Sequence, residues 1–153
     1  MSIKEKISSL GLSLPTAAAP VAAYVPAIKS GNLVFTAGQL PVVDGKLIKE
    51  GKVGSDATAE EAKELAQLCA LNALAAISLV ADLDQIERVV RVGGFVNCAP
   101  GFTAIPGVIN GASEFLIKIF GDVNGKHART AVGVAELPLN APVEVEVIVQ
   151  LKN

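Results

Sequence analysis

The sequence predicts an α+β domain in which two main helices pack on one face of a mixed or antiparallel sheet, after a short N-terminal helix. Three observations indicate this class. Two apolar stretches repeat at helical spacing, over roughly 58–80 and 106–121. Short β-branched segments lie around them, and turn residues separate these segments. The length of 153 residues fits one domain over 1–153, with 1–14 as a helical extension.

Composition limits the classes of partner. Hydrophobic residues make up 51% of the chain and charged residues 18%, which is more apolar than a small monomer needs, so we expect a homo-oligomer. The net charge of −2, without a basic stripe, argues against a nucleic-acid partner. Two widely spaced cysteines suggest no disulfide framework or zinc pattern and fit a reduced, cytoplasmic setting. No segment has the pattern of a signal peptide or a membrane span, so no membrane partner is expected.

The N-terminal third is predicted to contain a short helix and two hairpins. Charges mixed with apolar residues three and four apart indicate an amphipathic helix at the start. Ser30-Gly31-Asn32 and Asp44-Gly45 are turn signals between extended segments. The predicted segments are a helix over 1–10, an Ala/Pro linker over 15–23, strands over roughly 24–29 and 33–37, and strands over 40–43 and 46–48.

Two longer helices are marked by their ends. Thr58 and Glu61 form a capping box, so the first helix begins there and runs to about Val80. Pro106 suits the first turn of the second helix, and Gly121 suits its C-terminal end. Small residues recur on one side of the first helix, which allows a close approach to a sheet.

Between these helices, the β-branched segment from Ile86 to Cys98 predicts a strand. Its Gly93-Gly94 pair indicates a bulge or a close backbone contact. A loop over 99–105 leads into the second helix.

The last two strands are the clearest. From Val143 to Leu151, apolar residues alternate with Glu144, Glu146, Ile148 and Gln150, so one face is fully apolar. If this strand forms a hairpin with the preceding one around Leu139–Asn140, Arg129 lies opposite Gln150. At ~3.4 Å per residue, Arg129 and Glu144 are then on the order of 20 Å apart in one chain. They could share a site only if another subunit supplied one of them.

Arg129 is the main candidate for a binding group. It is either a surface ion-pair residue or a carboxylate anchor, since a guanidinium binds planar carboxylates in a bidentate way. Ala131, Gly133 and Ala135 follow on the same strand face and leave room for a ligand. Glu144 is either a solvated strand residue or an acid that positions water, and Glu146 has the same two interpretations.

Other residues have weaker signals. Tyr24, the only tyrosine, is either a core residue or part of a pocket wall, and Thr36-Ala37-Gly38-Gln39 is either a turn or a backbone donor site. Cys98 lies at a strand end, but its distance in sequence from His127 makes a Cys–His pair a poor candidate, and a structural role suits His127 better. Asn110 either caps locally or reaches into a cleft.

Several chemistries lack their motifs. The chain has no P-loop, no G-x-S-x-G, no H-E-x-x-H and no G-x-G-x-x-G after a strand. A single histidine does not make a conventional zinc site, so we expect neither a metal nor a cofactor.

Two motifs nevertheless resemble those of a known family. The segment from Ala128 to Pro138 (ARTAVGVAELP), followed by Val-Glu-Val-Glu at 143–146, resembles the C-terminal signature of the Rid/YjgF reactive-intermediate deaminases. Phe35 to Pro41 (FTAGQLP) resembles the first motif of that family, and Asn110 falls where the family has an Asn on its second helix. The resemblance covers roughly 20–151, and the loop over 97–106 is similar to that of a longer subgroup.

The resemblance implies a chorismate-mutase-like fold, a homotrimer with clefts between subunits, and hydrolysis of 2-imino acids such as 2-iminopropionate without a cofactor. In this scheme Arg129 holds the carboxylate and Glu144 orients the attacking water. Tyr24, the backbone of Ala37 and Gly38, Asn110 and Ala131 would bind the substrate. Cys98 and Phe102, the latter in the long loop, are further candidates for the pocket wall.

The chain departs from the family pattern at two of these positions. Ala131 stands where the better-known deaminases often have Cys, and Ala37 where many have Ser. Alanine suffices if these positions act through their backbone, but not if a thiol or hydroxyl is needed. A carboxylate-binding module without turnover is therefore the second hypothesis. A ribonuclease, an activity also attached to this family, is the third, and the acidic balance of the chain argues against it.

Overall fold

The structure, a computed structural model, describes residues 1–17, 19 and 22–153. Residues 18, 20 and 21 of the predicted Ala/Pro linker therefore lie outside the described part. The helices are α1 (Ile3–Ser9), α2 (Ala59–Ile77) and α3 (Ile105–Asn124). The strands are β1 (Ala27–Ser30), β2 (Leu33–Thr36), β3 (Val42–Val43), β4 (Lys46–Leu47), β5 (Ile86–Asn97), β6 (Ala128–Val134) and β7 (Val143–Leu151). Short 3₁₀ turns cover Leu83–Gln85 and Pro138–Asn140.

Five strands form one mixed sheet in the order β1-β2-β7-β5-β6, and β3 and β4 form a separate small hairpin. Neighbouring strands run antiparallel in the pairs β1–β2, β2–β7 and β7–β5, whereas β5 and β6 run parallel. Helices α2 and α3 cover one face of the sheet, and α1 packs against α3. The predicted α+β class and both predicted hairpins of the N-terminal third are confirmed.

The predicted hairpin between β6 and β7 is wrong. Strand β6 pairs with β5, and β7 lies on the other side of β5, between β5 and β2. The physical reason is that β5, α3 and β6 form a strand–helix–strand unit, and a connection of that length places the second strand parallel to the first. The fully apolar face of β7 suits a central strand, while β6, which has no fully buried residue, is an edge strand.

The core lies between the sheet and the two long helices. It contains one face of β7 and the inward residues of β5, together with the buried faces of α2 and α3. The capping box of Thr58 and Glu61 is confirmed. Gly121, with φ of 83°, kinks α3 where its end was predicted. No bulge occurs at Gly93-Gly94; instead, a β-carbon at Gly94 would lie 2.5 Å from the Ile109 side chain, which brings α3 close to the sheet.

An ion pair at the surface links α2 to α3. The charged groups of Lys63 and Glu114 are 3.1 Å apart. Among the described residues, no helix is both long enough and apolar enough to cross a bilayer.

Candidate functional site

Arg129 lies on the edge strand β6, on the sheet face that α3 covers. Its half-buried side chain donates from Nη1 to Asn110 Oδ1 at 2.8 Å and to Ser113 Oγ at 3.2 Å, and from Nη2 to the Pro106 carbonyl at 3.4 Å. All three acceptors belong to α3 and are neutral. No described carboxylate lies within ion-pair distance of the guanidinium. Of its five N–H groups, these bonds use three and leave two for a ligand.

The surroundings of Arg129 favour an anion. An open pocket of about 310 Å³ beside it is lined by Ser113, Ile117, Lys126, His127 and Arg129. Two of these residues are cations, and none is an acid. A half-buried guanidinium with only neutral partners attracts a carboxylate, which can complete its hydrogen bonds and offset its charge.

His127 adds a neutral imidazole to this pocket. One ring nitrogen, Nε2, is 2.9 Å from Ser113 Oγ, and the other, Nδ1, is 2.6 Å from the Gly125 carbonyl oxygen. Burial lowers the pKa of His127 below its ordinary value of 6.5, and the charge of Arg129 lowers it further, against an opposing hydrogen bond to Gly125. The ring is therefore uncharged at neutral pH.

Glu144 lies on β7 and faces the other side of the sheet, which α2 and α3 leave open. Burial raises the pKa of its half-buried carboxyl above 4.5, and the like charge of Glu146 raises it further. A higher pKa suits a group that has to accept and return a proton near neutral pH.

Gly38 lies directly against Glu144. A β-carbon at Gly38 would overlap Glu144 Oε1 and lie 2.8 Å from Glu144 Cδ, so the Glu144 carboxyl keeps this position only beside a glycine. Gln39 fixes the contact through a pair of backbone hydrogen bonds to Val145, at 2.8 and 3.0 Å. Among the described residues, none accepts from the Gly38 N–H. The N–H of Ala37 is already bonded to the Pro26 carbonyl at 2.8 Å, so of this pair only Gly38 offers a backbone donor.

Arg129 and Glu144 belong to opposite faces of the sheet. Arg129 is opposite Val92 in β5, whereas Glu144 is opposite Phe95. Three steps along the strands and two strands across put them on the order of 14 Å apart, and the odd number of steps places them on different faces. The separation of about 20 Å that the hairpin implied is wrong. The inference that one chain cannot bring the two groups together still holds, for a different reason.

The remaining candidates divide between these two regions. Asn110, in the second turn of α3, accepts a hydrogen bond from Arg129, and Ala131 is the next residue on the Arg129 face of β6. Cys98 lies beside Gly133 at the far end of that face, and burial raises the pKa of its thiol, so it is a poor nucleophile. Phe102 packs against Gly54. Tyr24 is 51% exposed, in a bend before β1 rather than at the start of that strand.

A family model described as "YjgF/chorismate mutase-like, putative endoribonuclease" matches residues 4–151. The chain belongs to the YjgF family. Its α+β architecture is the chorismate-mutase-like fold of that family.

Relatives of this YjgF chain have different names. Protein TCP17 of Trypanosoma cruzi is 41% identical over 152 residues, which are 99% of this chain and 95% of the relative. A 2-iminobutanoate/2-iminopropanoate deaminase of Dermatophagoides farinae is 30% identical over 141 residues, which are 92% of this chain and 95% of the relative. The crystal structure of a protein of unknown function from Agrobacterium tumefaciens superposes with a TM-score of 0.88 at 43% identity, covering 98% of this chain and 92% of that one.

Sequence reasoning about this YjgF chain missed Ser113, which connects Arg129 to His127. The signal was present, because Asn110 and Ser113 are three residues apart on a helix, and His127 and Arg129 are two apart at the start of β6. Each spacing puts the two side chains on the same face. No group of three or more His, Cys, Asp or Glu side chains that could hold a metal ion occurs in the part of the chain that the structure describes.

Proposed function

We propose that the protein hydrolyses 2-imino acids to 2-keto acids and ammonia, in clefts formed between copies of the chain. The observation that carries this proposal is the pair of incomplete half-sites. One offers a cation held only by neutral oxygens, at Arg129. The other offers a carboxyl group with a raised pKa, at Glu144 beside Gly38. The deaminase named among the relatives supports this choice of reaction.

The open face of the sheet supports assembly. Ile28, Phe35 and Val132 are 58%, 37% and 40% exposed on strands β1, β2 and β6. Apolar side chains gathered on one face favour burial against another protein surface, and a second copy would also supply the missing half-site. The resemblance to the Rid deaminases indicates a homotrimer, and the 97–106 loop fits the longer subgroup of that family.

In the proposed reaction, Arg129 of one copy holds the substrate carboxylate through its two remaining N–H groups. Glu144 of a neighbouring copy accepts a proton from water as the water oxygen bonds to the carbon of the imine, whose nitrogen is protonated. The carbon–nitrogen bond of this adduct then breaks as Glu144 returns the proton to nitrogen. The adduct hydroxyl gives its proton to the departing ammonia as the carbonyl forms, so that the protonated imino acid and water become keto acid and ammonium. Positioning alone can supply several kcal/mol of rate enhancement.

The test is a panel of imino acids that an amino-acid oxidase generates in situ, with semicarbazide trapping the imine that remains. We expect the wild-type protein to decrease the trapped imine, and Arg129→Ala to abolish the effect. Lys118→Ala is the matched control, because it also removes one positive charge, but from an exposed side chain of α3 that does not line the pocket. Equal rates for the wild type and Arg129→Ala would reject Arg129 as the anchor.

A second candidate, binding of small keto acids without turnover, is favoured by Ala131 and Ala37, which provide neither the thiol nor the hydroxyl common in the deaminases. Saturable keto-acid binding in calorimetry, together with no hydrolysis of any imino acid in the panel, would establish it.

Endoribonuclease activity, which the family description names, has less support. The net charge is −2, and Arg129 lies in a pocket with few other cations, whereas RNA binding needs an extended basic surface. RNA cleavage that decreases with salt and survives repeated purification would contradict this assessment.

A further inference from the structure

The strongest unassigned feature is a chain of hydrogen bonds behind Arg129. Ser113 Oγ lies 3.2 Å from Arg129 Nη1 and 2.9 Å from His127 Nε2. His127 Nδ1 lies 2.6 Å from the Gly125 carbonyl oxygen. This series of hydrogen bonds therefore runs from the guanidinium on β6 to α3, and from there back to the backbone just before β6.

The direction of each bond follows from the chemistry of its groups. A guanidinium only donates, so Ser113 Oγ has to accept from Arg129. The Gly125 carbonyl only accepts, so the proton of the neutral His127 ring is on Nδ1. The Nε2 lone pair is then free to accept the Ser113 hydroxyl hydrogen. These assignments give the serine hydrogen and both ring nitrogens a partner, whereas the other neutral tautomer would place the bare Nδ1 against the Gly125 carbonyl oxygen.

The end of this chain is fixed by packing. The Gly125 N–H donates to the Gly121 carbonyl at 2.7 Å. A β-carbon at Gly125 would lie 2.6 Å from Ile117 Cα and 2.9 Å from the Leu116 carbonyl oxygen. The Gly125 carbonyl is therefore held against α3 and gives the His127 ring a rigid support.

We propose that Ser113 and His127 are positioning residues for Arg129. The His127 ring fixes the rotation of the Ser113 hydroxyl so that its oxygen lone pair faces Arg129, and the guanidinium plane is thereby set before a carboxylate arrives. The role of the carboxylate in this inference rests on the proposed function; the hydrogen-bond chain itself does not.

The charges around His127 keep this arrangement intact at neutral pH. Arg129 from β6, Lys126 beside it and Arg88 from β5 line the pockets around the ring, and no acid does so in the described part of the chain. If the ring were protonated, Nε2 would become a donor. Two donors would then point at Ser113 Oγ, and the serine hydrogen would lose its acceptor.

The first experiment is nitrogen NMR of the histidine ring, which is unambiguous because the chain has one histidine. We expect a neutral ring with the proton on Nδ1 in the wild type. We also expect a higher His127 pKa in Ser113→Ala, since the donor to the neutral form is lost. A proton on Nε2 in the wild type, or the same pKa in Ser113→Ala, would overturn the inference. This measurement needs no turnover, so it is informative even if the proposed function fails.

The second experiment is steady-state kinetics on the imino acid that the panel identifies, or keto-acid binding if there is no turnover. We expect Ser113→Ala to raise KM or Kd about fivefold, the value of one hydrogen bond, with kcat nearly unchanged. Ser113→Thr, which keeps the hydroxyl, should restore most of the affinity. Glu114→Gln, next to Ser113 but paired with Lys63, should have no effect.

His127→Leu tests whether the histidine acts through the serine. It should raise KM in the wild type but have little further effect in Ser113→Ala, because the serine link is already absent. Effects of His127→Leu that are equal in both backgrounds would show that the histidine acts independently and would overturn the proposal.

Discussion

The region around Arg129 and the region around Glu144 carry opposite charges, and neither charge has an ionic partner among the described residues. Arg129 is a cation held by three neutral oxygens of α3, whereas Glu144 is an acid whose ionised form is disfavoured by burial and by Glu146. Each region lacks the opposite charge that the other one has. A ligand or a neighbouring copy could supply the opposite charge to each region, which is the arrangement that the proposed function requires.

The largest expected effect comes from mixing subunits. Arg129→Ala and Glu144→Gln should each abolish hydrolysis when expressed alone. When both variants are co-expressed with different tags and purified through both tags, activity should return. A closed ring of three copies that contains both variants has about one cleft in three with both groups intact. We therefore expect each mixed oligomer to have roughly a third of the activity of a wild-type oligomer.

The control for mixing is a chain that carries both substitutions, co-expressed in the same way with Arg129→Ala. No cleft is then intact, and no activity should return. If the two single variants also remain inactive together, while the mixed oligomers are shown to form, the two groups do not meet across an interface.

A smaller effect is expected from the contact between Gly38 and Glu144. Gly38→Ala would place a methyl group on the carboxyl, so Glu144 has to move. We expect a loss of activity, because the carboxyl leaves its position, and a change in the free energy of unfolding of less than about 1 kcal/mol, because the end of a flexible side chain can shift. Urea denaturation followed by circular dichroism would measure the stability.

Gly107→Ala is the matched control on the Arg129 side. Gly107 lies in the first turns of α3, and a β-carbon there would have no neighbour within 4 Å. Alanine should keep or raise stability by up to about 1 kcal/mol, because it favours the helix, and activity should not change. Equal losses in both variants would mean that the contact with Glu144 is not what makes Gly38 necessary.

Local features of both regions could be predicted from the sequence. The capping box at Thr58, the apolar alternation of β7 and the candidates Arg129 and Glu144 all depend on residues close in sequence. The separation of the two groups could not be predicted, because it depends on the pairing of β5 with both β6 and β7. Whether Arg129 and Glu144 share a face is decided by the register at Val92 and Phe95, and a shift of one residue would reverse the answer.

The smallest expected effect distinguishes the two regions by pH. The pKa of His127 is lowered in the folded chain, so the unfolded chain binds a proton at a higher pH than the folded chain does. The stabilising contribution of neutral His127 is complete above pH 6.5, its ordinary pKa, and is lost as pH falls through the folded value. Glu144 has the opposite sign, since its raised pKa makes the folded chain bind a proton more readily.

His127→Gln isolates the histidine contribution, because glutamine keeps an oxygen that can accept from Ser113 but does not titrate. The difference in unfolding free energy between the wild type and His127→Gln should shrink or change sign as pH falls below 6.5, while it stays constant from pH 7 upward. Denaturation curves at several pH values, each at one protein concentration so that assembly is held fixed, would measure this difference. A difference that is independent of pH on both sides of 6.5 would mean that His127 titrates alike in the folded and unfolded chain. In that case the neutral ring would not be a property of the Arg129 region, and the electrostatic contrast between the two regions would depend on Glu144 alone.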